Sequence, residues 1–107
     1  MRVLFICSRN RLRSPTAEVV FAKWPNVETD SAGLAPDADV QLDADQLDWA
    51  EVIFIMERGH QRRLSQRFGS RLRGKRVVCL GILDDYAFMQ PELVALLEKR
   101  VGPYLRS

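Results

Sequence analysis

Val3, Leu4, Phe5 and Ile6 form an unbroken apolar run that ends at Cys7, and Ser14-Pro15 shortly after carries the marks of a helix start. A continuous run this short suits a central parallel strand covered on both faces, whereas an edge strand would alternate apolar and polar residues. Ser14 is a good N-cap. Pro15 suits the first helical position, where its missing N–H costs nothing and its fixed φ is already helical. A buried strand that enters a helix through a short polar loop is the opening unit of a parallel α/β fold, and it constrains everything that follows.

The loop itself reads Cys7-Ser8-Arg9-Asn10-Arg11-Leu12-Arg13-Ser14, a cysteine with arginine and serine following after five intervening residues. Backbone N–H groups of such a loop can converge beside the helix N-terminus into an anion cradle. Asn10 assists, because asparagine tolerates positive φ better than most residues. A cysteine held next to a helix N-terminus and an arginine is expected to act as a thiolate nucleophile. The planar fork of Arg13 can grip two oxygens of a phosphoryl group, and the Ser14 hydroxyl can donate to the sulfur.

At these residues the sequence resembles the low-molecular-weight protein tyrosine phosphatase family, as a short and divergent member. That family carries a C-x5-R-S loop with asparagine three residues after the cysteine, directly after the first strand and followed by proline and Ala-Glu. Cys7, Asn10, Arg13, Ser14, Pro15, Ala17 and Glu18 match. The resemblance continues more weakly through Ser31-Ala32-Gly33, where glycine would let the chain turn close beneath the first loop, and through Asp84-Asp85-Tyr86. It implies a phosphocysteine mechanism with Cys7 as nucleophile and Arg13 with the loop amides holding the phosphoryl oxygens. Anchoring the family's Asp-Pro-Tyr motif on Tyr86 implies Asp84 as general acid, with Asp85 in place of the proline, so either carboxylate could act.

Along the rest of the chain, the spacing of Ala17, Val20, Phe21 and Trp24 predicts a helix over 15–24, stopped by Pro25-Asn26. Strands are predicted over 27–31, 52–56 and 77–80. A short helix is expected near 43–49 within an acidic stretch whose spacing fits no calcium loop. Leu64, Phe68 and Leu72 predict a helix over 60–72 whose outer face, from Arg58 to Arg76, is basic. Pro91 opens a last helix with a wide apolar face. Cys79 is expected in the core, and His60 is not expected to be catalytic. Strands alternating with helices predict an α/β three-layer sandwich with a four-stranded parallel sheet and helices on both faces. The resemblance implies strand order 2-1-3-4.

Length and composition fit a single domain over 1–107, with 47% hydrophobic and 28% charged residues. Two cysteines and the lack of a long apolar run suggest a cytoplasmic protein without membrane association. The expected function is phosphomonoester hydrolysis, protein tyrosine phosphatase-like, without metal or cofactor, on a phosphorylated protein or small phosphomonoester, releasing inorganic phosphate. Ser8, Arg9, Asn10, Arg11, Leu12, Ser14, Asp85 and Tyr86 are the expected substrate-binding residues beside catalytic Cys7, Arg13 and Asp84. Arg9 stands where the family has glycine, and with Arg11 it could favour a more anionic substrate than phosphotyrosine. The acidic stretch is shorter than in typical family members, which implies a reduced substrate wall. Leu12 replaces the second loop cysteine of many relatives, which argues against the thiol relay of the related arsenate reductases. Two alternatives are a catalytically weak phosphate-binding module and a nucleic-acid binder acting through the arginine-rich helix. A net charge of +2 gives the latter little support.

Overall fold

The computed structural model describes residues 1–106. Four parallel strands, β1 (Arg2–Cys7), β2 (Glu28–Gly33), β3 (Val52–Ile55) and β4 (Arg76–Cys79), form one sheet in the order β2-β1-β3-β4. The helices are α1 (Arg13–Ala22), α2 (Ala44–Trp49), α3 (Arg58–Phe68) and α4 (Pro91–Leu105). A 3-10 turn, Gly69–Leu72, follows α3.

The continuous apolar run of β1 is buried because side chains alternate between two separate cores. Val3, Phe5 and Cys7 pack on one face with Phe21 of α1 and with Leu93, Leu97 and Val101 of α4. Leu4 and Ile6 pack on the other with Leu47 of α2 and Leu64 of α3. The Phe5 ring stacks on Phe21 at 5.7 Å and on Phe54 at 5.5 Å. Each fully buried Phe contributes about 1.5–3 kcal/mol by leaving water. Strand registers pair Cys7 with Gly33 and Ile6 with Ile55, so the carboxyl ends of the strands lie side by side. The chain leaves β1 for β2 on one side and β3 lies on the other, which makes the exit of β1 the crevice where ligands collect in such sheets.

Several boundaries differ from the sequence reading. Helix α1 begins at Arg13, with Leu12 at the N-cap, so Ser14 and Pro15 are its second and third residues. Proline is tolerated there because the first four helical N–H groups have no intrahelical acceptor. Ser14 is buried and its hydroxyl meets Cys7 instead of capping the helix. Helix α3 begins earlier than expected, at Arg58, where the Glu57 N–H donates to His60 Nδ1 at 3.3 Å. Its expected last turn is the separate 3-10 segment. Cys79 is exposed, not in the core. β4 is an edge strand of four residues, and only its middle pair, Val77 and Val78, is half-buried. No described helix is long and apolar enough to cross a membrane.

Candidate active site

β1 delivers Cys7 to the crevice with 3% of its surface exposed. The chain then curls over 8–12 into α1. Asn10 adopts φ 56°, the left-handed conformation that reverses the loop. Its N–H consequently points back and donates to Cys7 Sγ at 3.2 Å. The Asn10 amide nitrogen donates to Ser14 Oγ at 3.0 Å and to Ser31 Oγ at 2.9 Å. Ser31 in turn donates to the Glu18 carboxylate. A carboxylate only accepts, and an amide nitrogen only donates, so the direction of this chain is set. The Ser14 proton is thereby left for Cys7 Sγ, 2.9 Å away.

The loop rests on the turn that follows β2. Leu34 N–H donates to the Cys7 carbonyl at 3.0 Å, Ala35 N–H to the Ser8 carbonyl at 2.8 Å and Asp39 N–H to the Arg9 carbonyl at 3.0 Å. Gly33 makes this approach possible, because a Cβ there would lie 2.6 Å from the Ser8 carbonyl oxygen.

Arg13 is 2% exposed. Its Nη1 donates to Glu57 Oε2 and to the Ile82 carbonyl, both at 2.8 Å. Those two bonds fix the plane of the guanidinium and leave the donors on Nε and Nη2 for an anion. Asp84 Oδ1 lies 3.6 Å from Nε. The hydrogen bond from Arg13 holds the Glu57 carboxyl below its ordinary range. Behind the loop, buried His60 places Nε2 3.0 Å from Ser8 Oγ and 3.6 Å from Glu57 Oε2. Because Nδ1 accepts from the Glu57 N–H, the proton of the neutral ring sits on Nε2. Burial first, and then the Arg13 charge, push the His60 pKa down.

Cys7, Arg9, Arg11, Leu12, Arg13 and Asp84 line one pocket of about 240 Å³. Of the residues singled out in the sequence, Asn10 and Ser14 lie beneath it as hydrogen-bonding support, and Ser8 is tied to His60. Asp85 and Tyr86 are not in the lining; Tyr86 packs half-buried against the core beside α4. Glu57, Ile82 and Ser31 also belong to the site, although no motif in the sequence marks them as site residues. The local signal for Glu57 is its place directly after the apolar run 52–56, at the carboxyl end of a parallel strand, where ligands collect. The Ile82 carbonyl and Ser31 carried none, because both contributions depend on chain proximity. Among the described residues, no group of three or more His, Cys, Asp or Glu is placed to hold a metal ion.

A buried sulfur that accepts N–H and O–H bonds at the mouth of a strand-loop-helix, with a fixed guanidinium beside it, is an arrangement suited to an oxyanion, set in a parallel α/β domain. More narrowly, the chain has the fold of the low-molecular-weight protein tyrosine phosphatases. YwlE arginine phosphatase from Geobacillus stearothermophilus matches at 24% identity and TM-score 0.76, covering 97% of this chain and 92% of that one. The tyrosine phosphatase AmsI from Erwinia amylovora matches at 25% identity and TM-score 0.76, over 97% and 90%. The low molecular weight protein tyrosine phosphatase SP-PTP from Streptococcus pyogenes matches at 16% identity and TM-score 0.78, over 99% and 93%. No family model and no curated protein matches the chain in sequence.

Proposed function

We propose that this chain is a cysteine-dependent phosphomonoester hydrolase of the low-molecular-weight tyrosine phosphatase type. The observation that carries the reading is the meeting of Cys7, Arg13 and Asp84 in one pocket, with Arg13 in ion-pair range of Asp84. In the first step the Cys7 thiolate attacks phosphorus in line, the phosphorus–oxygen bond breaks, and the Asp84 carboxyl gives its proton to the leaving oxygen. Arg13 and the loop amides gather the charge on the equatorial oxygens. In the second step the Asp84 carboxylate takes a proton from water, which attacks phosphorus and releases the thiolate and inorganic phosphate. Asp84 takes the acid role over Asp85 because it alone of the two lines the pocket.

The solved neighbours support the chemistry. Among them is a YwlE arginine phosphatase mutant with a phosphorylated active site serine. The substrate is a phosphorylated protein or a small phosphomonoester. Both cysteines are free, which suits the reducing cytoplasm. Nucleic acid is the less favoured partner, because part of the arginine-rich face is engaged within the fold. Arg71 pairs with Asp48, Arg67 donates to the Leu34 carbonyl, and Lys75 to the carbonyls of Asp48 and Ala50.

The decisive test is hydrolysis of an aryl phosphate by wild type and Cys7→Ser. Turnover is expected to vanish in the variant while phosphate still binds. Equal turnover would remove Cys7 as nucleophile, and anion binding without turnover in wild type would leave a phosphate-binding module instead.

A further inference from the structure

The mouth of the pocket offers more guanidinium than one phosphoryl group needs. Arg13 sits at the base, whereas Arg9 and Arg11 line the same cavity from its exposed side, their side chains 62% and 46% exposed. Both are steadied by the turn after β2. Arg9 Nε lies 3.7 Å from Asp37 Oδ2. Arg11 Nε donates to Asp39 Oδ1 and Arg11 Nη2 to the Asp37 carbonyl, each at 3.2 Å. An arginine has five N–H donors, so Arg11 keeps three for a ligand, and the Arg9 contact is an ion pair beyond hydrogen-bond range. The turn is itself bonded to the loop through Asp39 N–H and the Arg9 carbonyl. The Arg11 fork is thus placed before a ligand arrives, which lowers the ordering cost of binding, and the Asp37 carboxylate keeps Arg9 nearby. Asp37 and Asp39 balance their charge, so selection comes from short hydrogen bonds and not from a long-range field.

The wall for an aromatic ring is thin by comparison. Leu12 is the one large apolar side chain in the lining. Phe88 is outside it and half exposed, and Tyr86 lies half-buried against the core.

We propose that the site selects phosphomonoesters bearing a second anionic group, a carboxylate or another phosphoryl group, close to the reacting phosphorus, and that Arg9 and Arg11 grip that second group. The inference rests on the phosphatase reading, but binding alone can test it. The probes are methylphosphonate, phosphonoacetate and methylenediphosphonate, titrated calorimetrically into the full chain, with aryl phosphate turnover measured in parallel. At least one doubly anionic ligand is expected to bind about tenfold tighter than methylphosphonate, the scale of one charge-assisted hydrogen bond. Phosphonoacetate as the preferred ligand identifies a carboxylate, and methylenediphosphonate a second phosphoryl group. The ratio is expected to fall toward one in the Arg9→Gln/Arg11→Gln double variant, and each single variant loses part of it should the double variant fail to fold. Equal affinities in wild type, or a ratio untouched by the substitutions, would overturn the assignment. Turnover without anion preference defeats this inference and leaves the phosphatase reading standing; preference without turnover does the reverse.

Discussion

Replacing Gly33 with alanine probes the contact on which the loop rests. The added Cβ would lie 2.6 Å from the Ser8 carbonyl oxygen, 2.7 Å from Ala38 Cβ and 3.0 Å from the Arg9 carbonyl carbon. Ordinary contact begins at 3.4 Å, so loop and turn must separate by about 0.8 Å. Two of the three neighbours are backbone of the phosphate loop and cannot rotate away. The φ of Gly33 is not left-handed, so the cost is steric and not conformational. Overpacking of this kind costs about 1–3 kcal/mol. At about 4 °C per kcal/mol for a domain of this size, Tm should fall by about 4–12 °C. Displacement of the loop amides relative to Arg13 should also lower kcat/KM on an aryl phosphate, by up to about 10²-fold for a shift near 1 Å. Gly59→Ala is the control. Nothing lies within 4 Å of its added Cβ, and in the first turn of α3 alanine should stabilise by about 0.5–1 kcal/mol. Scanning calorimetry and steady-state kinetics on both variants decide the matter. Gly33→Ala with wild-type Tm and rate would refute the packing argument.

Asp84→Asn should lower kcat on a poor leaving group by about 10²–10⁴-fold, the range of general acid catalysis, with a much smaller effect from Asp85→Asn; the reverse order in steady-state rates transfers the role to Asp85. Asn10→Ala removes both side-chain bonds and the tolerance for φ 56°, whereas Asn10→Gly keeps the backbone freedom. Denaturant titration should show the alanine variant to be the weaker by about 1–2 kcal/mol. Because the folded His60 pKa lies below the ordinary 6.5, the unfolded chain binds more protons there, and stability should fall as pH drops from 6.5 toward the folded value. Glu57, also depressed, adds a second loss below its ordinary 4.5 as pH falls through its folded pKa. Urea midpoints measured from pH 8 to 4 should show the first loss disappear in His60→Gln, and an unchanged profile in that variant would exclude His60 as its source.

The sequence by itself determined the parallel α/β plan and the loop. Val3 to Ile6 announced burial on both faces, and Cys7 to Ser14 are contiguous, so their chemistry could be read from spacing alone. Tertiary structure decided what depends on segments far apart in the chain. Glu57 and the Ile82 carbonyl converge on Arg13 from the exits of β3 and β4. Asp37 and Asp39 hold Arg9 and Arg11 from the turn after β2. Ser14 has the residue type of a helix cap, yet its hydroxyl faces the thiol, because the loop enters α1 two residues earlier than propensity suggests. Cys79 sits in an apolar run and is exposed, because an edge strand has a neighbour on one side only. Adjacent residues along a chain declare their local geometry through sterics and hydrogen-bonding capacity. Which distant partner meets them is set by strand order and register, and those emerge only when the two cores close.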